Sequence, residues 1–222
     1  MIVLKNVNRV FKQNSNRSFE ALKEINLEIQ EGESLLLKGV SGSGKSTLLS
    51  IIGAILKPSS GLVAVDGLNI SGLSDYYLSK YRNETIGFIT QSFYLFEELS
   101  VRDNLLPPLI VNNYSLEKIE ALSATAMQLS NISHKADQRV ATLSGGEKQR
   151  CMIARSIVNS PKIILCDEPT ANLDRENSLK FIEILKKLKM MGKTIVVATH
   201  DPLFEELEIM DRVVNIKEGR VE

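Results

Sequence analysis

The pattern of apolar and polar residues predicts a sheet of short strands separated by helices. Residues 25–29 alternate between apolar and polar side chains, which is typical of a strand with one buried face. Residues 62–70 fit two short strands around a turn at Asp66 and Gly67. Longer apolar runs predict more deeply buried strands, and these runs are 34–38, 85–89, 162–167, 193–200 and 212–219.

Helical periodicity predicts three further elements. One helix runs through residues 48–56, and another begins near residue 176 and ends near residue 190. A third spans residues 115–130 and has one apolar face. This face is formed by Ile119, Leu122, Ala126 and Leu129.

Strands that alternate with helices imply a largely parallel sheet that is covered on both faces. Between Ser92 and Asn159 the β-branched runs disappear and helical patterns replace them. We therefore predict an α/β fold with a single domain over residues 1–222. Within it, a core of residues 1–91 and 160–222 carries an inserted helical subdomain, residues 92–159.

Composition and charge exclude several classes of function. The chain has 222 residues with 27 basic and 27 acidic side chains, and it has no run of like charge that would suit a nucleic-acid-binding arm. No apolar run reaches membrane-spanning length, and the N-terminus turns polar too early for a signal peptide. We expect a cytoplasmic protein with no nucleic-acid partner, in which Cys151 and Cys166 are buried, reduced side chains.

A glycine-rich loop lies between the strand at 34–38 and the helix that follows it. Residues 39–46 read GVSGSGKS, which matches the phosphate-binding pattern G-x-x-x-x-G-K-[ST]. Backbone N–H groups and the positive end of the helix dipole face the phosphates in such a loop. Lys45 would contact the β- and γ-phosphates, Ser46 would bind Mg²⁺ and Thr47 would reach the α-phosphate, whereas the alternative is a merely flexible loop. The candidate nucleotide-binding residues are Gly39, Val40, Ser41, Gly42, Ser43, Gly44, Lys45, Ser46 and Thr47.

Two acidic residues end the apolar run at 162–167. The carboxyl ends of parallel strands line the ligand crevice of an α/β fold, and Asp167 fits the acid that holds Mg²⁺ in P-loop proteins. Glu168 follows directly, where its carboxylate can accept a proton from an attacking water molecule or orient that molecule. The alternative for Glu168 is a solvated loop acid.

A second glycine-rich site opens a helix about a hundred residues after the first. Residues 143–147 read LSGGE, and a glycine inside a helix costs roughly 1 kcal/mol relative to alanine. A helix start with bare glycines is a second anion-binding site, where Ser144 and Gly146 could donate to a phosphate. The alternative is that Ser-Gly-Gly only caps the helix.

Together these motifs resemble the ATP-binding cassette (ABC) ATPases. The phosphate loop, LSGGE and ILCDEPT occur in the family's order; Gln91 resembles the Q-loop, Ala171 to Asp174 resemble the D-loop and His200 resembles the switch histidine. The resemblance covers the whole chain. It implies an ATPase with a RecA-like P-loop NTPase core, a mostly parallel sheet, a small antiparallel part at the N-terminus, and ATP and Mg²⁺ as ligands.

The resemblance also implies that two copies pack head to tail, with each ATP between the phosphate loop of one copy and LSGGE of the other. Phe11 stands where the family places an aromatic residue against adenine, and the alternative for Phe11 is a core residue. The residues expected to contact nucleotide across the pair are Leu143, Ser144, Gly145, Gly146, Glu147 and Asp174. The expected catalytic residues are Glu168, His200, Gln91 and Lys45, and the expected Mg²⁺ ligands are Ser46, Gln91 and Asp167.

Residues 81–110 and the ANLD sequence resemble the LolD/MacB group, which contains ATPases of lipoprotein release and of macrolide or peptide export. This implies integral membrane subunits as partners and a peripheral position on the inner face of the membrane. The alternatives are a cell-division ATPase of the FtsE type and a non-transport ABC ATPase of DNA repair or translation. The apolar segment 93–109 is expected to dock a helix of the membrane subunit, unless it only fills the subdomain core.

Overall fold

The computed structural model of the chain describes residues 1–14 and 17–222. Its strands are β1 (Ile2–Asn14), β2 (Arg17–Ile29), β3 (Ser34–Lys38), β4 (Ser60–Val65), β5 (Leu68–Asn69), β6 (Ile86–Ile89), β7 (Ile163–Asp167), β8 (Thr194–Ala198), β9 (Arg212–Lys217) and β10 (Arg220–Val221). Its helices are α1 (Lys45–Ile52), α2 (Asp75–Thr85), α3 (Val101–Asn104), α4 (Pro107–Ile110), α5 (Leu116–Leu129), α6 (Gly145–Ile157), α7 (Arg175–Met190) and α8 (Leu203–Glu206).

A six-stranded sheet forms the centre of the molecule, in the order β10-β9-β3-β8-β7-β6. Strands β9, β3, β8, β7 and β6 run parallel, and β10 pairs antiparallel with β9. Almost every residue of β3, β7 and β8 is buried, which explains their continuous apolar sequences. Because β3, β8 and β7 are neighbours, the loops that follow these three strands meet at one edge of the sheet.

A second sheet, β2-β1-β4-β5, is antiparallel throughout. Buried side chains of β1 and β2 share one hydrophobic cluster with side chains of β3 and α1. This sheet therefore packs against the central sheet on the side that carries α1. The predicted α/β class is confirmed, including its mostly parallel sheet and its antiparallel part near the N-terminus.

Two helices differ from the prediction. Helix α1 ends at Ile52 rather than at residue 56, because Gly53 caps it and Ala54 has a left-handed backbone with a φ of 54°. Helix α2 is not indicated by the sequence pattern. Among its residues Leu78 and Tyr81 are the buried ones, so its apolar face is too narrow to produce a clear helical period.

The stretch 92–159 is helical, as the pattern predicts. The hydroxyl of Ser115 caps α5 by accepting from the N–H of Lys118 at 3.3 Å. Buried side chains of α5 and α6 join a hydrophobic cluster that also contains side chains of β7, α7 and β8. The stretch is thus packed firmly on the central sheet, and its separation as a subdomain stays a prediction.

Both cysteines are buried free thiols. Cys151 of α6 and Cys166 of β7 belong to the same hydrophobic cluster, and burial raises the pKa of Cys151 to about 12. This agrees with the expected role as small apolar side chains. Over the residues that the structure describes, no helix is both long and apolar enough to cross a lipid bilayer.

Candidate active site

The loop between β3 and α1 forms a cradle whose shape depends on glycine. Gly44 precedes α1 with a φ of 113°, a left-handed conformation that favours glycine. A Cβ on Gly44 would lie 2.7 Å from the carbonyl oxygen of Ala21, and a Cβ on Gly39 would collide with the carbonyl oxygen of Ile216. Bare backbone at both positions lets N–H groups and the start of α1 face an anion.

The ammonium group of Lys45 lies within this cradle. Its Nζ donates to the carbonyl oxygens of Gly39 at 2.7 Å and Val40 at 3.1 Å, and the residue is only 6% exposed. Because an ammonium group has three donors, these two bonds leave one for a phosphate oxygen. This geometry supports the predicted contact between Lys45 and the β- and γ-phosphates.

Ser46 and Asp167 meet beside the start of α1. The hydroxyl of Ser46 donates to Oδ1 of Asp167 over 2.8 Å. Burial raises the pKa of Asp167 above its ordinary value, and the charge of Glu168 adds to this, although the hydrogen bond from Ser46 and the charge of Lys45 oppose it.

A hydroxyl and a carboxylate at this distance fit Mg²⁺, which takes oxygen ligands and binds through one or two protein groups plus phosphate oxygens and water. Within residues 1–14 and 17–222 there is no cluster of three or more His, Cys, Asp or Glu side chains that could hold a metal ion unaided. Phosphate oxygens and water would therefore complete the coordination. Mg²⁺ binding by Ser46, Asp167 and Gln91 stays a prediction.

Glu168 leaves β7 with a left-handed backbone, at a φ of 45°, and its N–H donates to the carbonyl oxygen of Ala198 at 2.8 Å. Its Oε2 accepts from the hydroxyl of Thr199 at 2.8 Å, and its Oε1 lies 3.1 Å from Nδ1 of His200. The side chain of His200 is 76% exposed and that of Glu168 is 18% exposed. The structure thus brings two of the predicted catalytic residues into contact and adds Thr199, which no sequence motif marks.

Gln91 and the D-loop contact each other. The backbone oxygen of Gln91 accepts from Nδ2 of Asn172 at 3.2 Å. The side chain of Gln91 is exposed at the edge where β6 ends. Its predicted contacts with Mg²⁺ and water stay predictions.

Asp174 caps α7. Its Oδ1 accepts from the N–H of Asn177 at 2.8 Å, and both carboxylate oxygens accept from Nδ2 of Asn177 at 3.1 and 3.0 Å. The bonds to the Asn177 backbone and side chain hold the pKa of Asp174 below its ordinary value. Its carboxylate is thus occupied by helix capping, and its predicted contact with nucleotide stays a prediction.

Helix α6 begins at LSGGE with a capping box. The hydroxyl of Ser144 accepts from the N–H of Glu147 at 3.3 Å, and Oε2 of Glu147 accepts from the N–H of Ser144 at 2.9 Å. The bond from the Ser144 backbone lowers the pKa of Glu147 most, and Lys135 lowers it further. Helix capping therefore explains the serine, but it does not explain the two glycines.

The two glycines of α6 have different surroundings. A Cβ on Gly146 would lie 2.5 Å from Oδ1 of Asn177, so the close approach of α7 requires glycine there. A Cβ on Gly145 would meet nothing within 4 Å in the described part of the chain. Because Gly145 is an exposed helical residue that this molecule leaves uncrowded, its bare backbone suits a group that comes from outside the molecule.

Phe11 lies on β1 opposite Phe19 of β2 and is half-buried. The guanidinium carbon of Arg9 lies 4.5 Å from the centroid of the Phe11 ring, and Arg9 donates to the carbonyl oxygen of Lys57 at 3.0 Å. Arg9 thus covers one face of this half-buried ring, and stacking on a base would use the opposite face. This favours adenine stacking over a core role for Phe11, and the stacking itself stays a prediction.

The fold and these residues define an ATP-binding cassette. The sequence profile of the ABC transporter family matches residues 22–171, and the chain belongs to this family. As a member it binds and hydrolyses ATP.

Several relatives match most of the chain in sequence. The ABC transporter ATP-binding protein YvrO of Bacillus subtilis is 38% identical over 221 residues, which is 100% of this chain and 95% of YvrO. The lipoprotein-releasing system ATP-binding protein LolD of Bordetella pertussis is 38% identical over 204 residues, 91% of this chain and 87% of LolD. The macrolide export ATP-binding/permease protein MacB of Campylobacter jejuni is 38% identical over 224 residues, but these make up only 33% of MacB.

Solved structures give the same result. The dimeric ATP-binding cassette MJ0796, in a post-hydrolysis state with ADP and phosphate, matches this chain with a TM-score of 0.91. The two are 39% identical, and the match covers 100% of this chain and 97% of the other. MJ0796 comes from Methanocaldococcus jannaschii. The predicted membership of the ABC ATPases and the likeness to LolD and MacB are therefore confirmed.

Proposed function

We propose that two copies of this chain bind two ATP molecules head to tail and drive transport through integral membrane subunits. The bare backbone of Gly145 carries this proposal, because nothing within the described chain requires a glycine there. No hydrogen bond of the described residues joins LSGGE to the phosphate loop. MJ0796, a close structural relative, forms a dimer. The start of α6 then serves the γ-phosphate of an ATP that the partner copy holds.

In the proposed reaction a water molecule attacks the γ-phosphorus directly. The bond from the γ-phosphorus to the bridging oxygen breaks, its electron pair leaves with ADP, and Glu168 accepts the proton of the water molecule. Lys45 and the loop N–H groups bind the β- and γ-phosphates, and His200 hydrogen-bonds the γ-phosphate. Bound Mg²⁺ would neutralise phosphate charge beside Ser46 and Asp167.

The transport role is proposed from LolD and MacB. LolD belongs to a lipoprotein-releasing system, and MacB joins an export ATPase to a permease. We therefore assign this chain to lipoprotein release or to macrolide or peptide export. It would lie on the inner face of the membrane, held there by its membrane subunits.

The segment 93–109 is divided between the core and the surface. Leu105 and Leu109 are fully buried, whereas Tyr94 is 75% exposed and Phe96 is 52% exposed. Filling the subdomain core, the alternative reading of this segment, therefore accounts for its C-terminal half. In its N-terminal half, Phe93 and Leu95 also pack partly against the core cluster, so Tyr94 and Phe96 are the side chains left for a partner.

A groove between α2 and α4 is a better docking site for a helix of the membrane subunit. It holds a cavity of about 380 Å³ that is lined by Arg82, Asn83, Phe88, Pro107, Pro108 and Arg155, among others. The groove continues past Tyr76 and Val111, which are 73% and 67% exposed. Its lining combines Ile86, Phe88 and two prolines with polar and basic side chains, and such a mixed lining suits an amphipathic helix that carries an acidic side chain.

The substitution Glu168→Gln tests the proposed ATPase cycle. Glutamine keeps the size of the side chain and loses the proton acceptor, so this variant should bind ATP, hydrolyse it very slowly and accumulate as a dimer in size-exclusion chromatography. Glu183→Gln, an exposed change on α7, is the matched control and should behave as the wild type. Wild-type hydrolysis by the Glu168→Gln variant would contradict the assignment of Glu168.

A further inference from the structure

The hydroxyl of Thr199 is directed at Glu168 by its surroundings. Thr199 is 1% exposed, so its hydroxyl is shielded from bulk solvent. Its Oγ1 lies 2.8 Å from Oε2 of Glu168 and 3.1 Å from the backbone nitrogen of Asp201. The Asp201 N–H can only donate, so the single hydroxyl proton of Thr199 must go to Glu168.

This bond fixes one of the two carboxylate oxygens. The contact on the other oxygen, from His200, belongs to a side chain that is 76% exposed. When His200 hydrogen-bonds a γ-phosphate instead, Thr199 still holds Oε2. Oε1, the oxygen beside the exposed His200, is then free to accept from an incoming water molecule.

The backbone at Glu168 and Thr199 is also held in place by neighbouring strands. Asp167 of β7 is in register with Ala198 of β8, so Glu168 and Thr199 follow neighbouring parallel strands at the same level. The N–H of Glu168 donates to the carbonyl oxygen of Ala198 at 2.8 Å, and the N–H of Thr199 donates to Leu37 of β3 at 3.3 Å.

A second hydroxyl–carboxylate bond crosses between the same two turns in the opposite direction. Thr170, which is 5% exposed, donates its hydroxyl to Oδ2 of Asp201 at 2.7 Å. Oδ1 of Asp201 accepts from the N–H of Leu203 at 3.0 Å. The turn after β7 thus donates to the turn after β8 through Thr170, and the reverse bond runs from Thr199 to Glu168.

We propose that Thr199 is a positioning residue for ATP hydrolysis: its buried hydroxyl holds Oε2 of Glu168 so that Oε1 accepts the proton of the attacking water. Thr199 itself touches neither ATP nor water. The proposal rests on the role of Glu168 proposed above, which the Glu168→Gln variant tests separately.

The test compares Thr199→Val with Thr199→Ser. Valine keeps the branched shape without the hydroxyl, so kcat should fall roughly 10- to 100-fold, a part of the 10²- to 10⁴-fold that a general base contributes. The KM for ATP should stay within about threefold, because the phosphate loop is untouched. Serine restores the donor and should return kcat to within about threefold of the wild type. A valine variant with wild-type kcat, or an equal loss for valine and serine, would overturn the proposal.

Thr194→Val is the matched control. Thr194 lies at the other end of β8, is 4% exposed, and accepts from the N–H of Gly32 at 2.9 Å. Its loss removes a buried threonine hydroxyl far from Glu168, so stability should fall while kcat stays at the wild-type value. If Thr194→Val lost as much kcat as Thr199→Val does, both losses would be explained by lower stability, and the proposal would be overturned.

If the valine variant does not fold, Thr199→Ser and Thr199→Cys make the same comparison. Cysteine is close to serine in size but is a weak donor. We expect the cysteine variant to be at least about tenfold slower than the serine variant at equal ATP affinity. Equal rates in these two variants would overturn the proposal. Loss of activity in Glu168→Gln together with wild-type activity in Thr199→Val would overturn the role of Thr199 alone.

Discussion

The side chain of Asn177 contacts the starts of α6 and α7, two helices that face the proposed partner copy. Its amide lies against the backbone of Gly146, leaving no room for a Cβ there, and it also donates to the carboxylate of Asp174 at 3.0 and 3.1 Å. The starts of α6 and α7 are therefore in direct contact. Gly145, one residue earlier, has no such neighbour in the described residues.

Gly145→Ala should change stability and activity in opposite directions. Alanine leaves the unfolded chain less conformational freedom than glycine does, so the free energy of unfolding should rise by roughly 0.4–1 kcal/mol. The added methyl group would project into the proposed ATP interface, and hydrolysis should fall at least about tenfold. Urea denaturation and an ATPase assay measure the two effects.

Gly146→Ala is the contrasting variant, since its methyl group meets Asn177 and should lower stability. Full ATPase activity in Gly145→Ala would remove the main support for the head-to-tail dimer.

Ser144→Arg tests the same interface with a larger change. The phosphate loop is untouched, so binding of ATP to a single copy should be nearly unchanged. The bulky side chain should abolish both ATP-driven dimerisation and hydrolysis. Nucleotide titration and light scattering separate the two steps. An equal loss of affinity in the monomer would mean that LSGGE and the phosphate loop belong to one site.

Phe11→Ala should weaken ATP binding by one to two powers of ten, because stacking of a base on an aromatic ring is worth roughly 1–3 kcal/mol. Phe11→Tyr keeps the ring and should be near neutral. No side chain that we identify reads the edge of adenine, so GTP should bind with a modest penalty. Isothermal titration with both nucleotides measures these effects, and strict rejection of GTP would reveal an adenine-reading group.

Asp167 should make the stability of the folded chain depend on pH, in the direction opposite to that expected for an aspartate in a salt bridge. Its raised pKa means that the folded chain binds a proton there more tightly than the unfolded chain does. Stability from this group therefore falls as pH rises from the ordinary value of 3.8 through the folded-state pKa. At neutral pH the charged carboxylate opposes folding.

Asp167→Asn removes that charge. In urea denaturation without nucleotide or Mg²⁺ it should be more stable than the wild type at neutral pH, and the advantage should shrink as the pH falls towards 3.8. Hydrolysis should be lost, since an amide is a poor Mg²⁺ ligand. A variant that is less stable than the wild type at neutral pH would contradict this account of Asp167.

The groove between α2 and α4 predicts a separation of docking from ATPase activity. Val111→Glu changes an exposed side chain at the groove, so the isolated chain should fold and keep its basal ATPase activity. It should no longer copurify with the membrane subunit that accompanies the wild-type chain. Phe96→Glu, at an exposed residue outside the groove, is the control. Loss of the complex in Phe96→Glu but not in Val111→Glu would return the docking site to the segment 93–109.

Sequence patterns predicted the buried strands, which are strongly apolar, and the glycine-rich phosphate loop. The buried strands β3, β7 and β8 are continuous apolar runs, and their order in the sheet brings Ser46, Asp167 and Glu168 together. Helix α2 escaped prediction because most of its surface faces solvent. The end of α1 was predicted too late in the chain, because Ile55 and Leu56 continue the apolar run beyond the left-handed turn at Ala54.

Thr199 could not be found from sequence. A threonine after a strand is common, and its importance arises from the register of β7 with β8, which places its hydroxyl beside Glu168. The groove likewise depends on α2, which the pattern does not indicate. Residues whose roles come from neighbouring strands or helices leave no local signal.

The burial of both native thiols makes the chain convenient for site-specific labelling. Cys151 and Cys166 are the two cysteines of the sequence, both are buried, and burial raises both pKa values, so little reactive thiolate forms at neutral pH. A maleimide dye should therefore react with one cysteine introduced on the surface and leave the native pair unmodified. A cysteine at Arg175, which is exposed at the start of α7, would report by fluorescence on the approach of the second copy in a background that needs no cysteine removal.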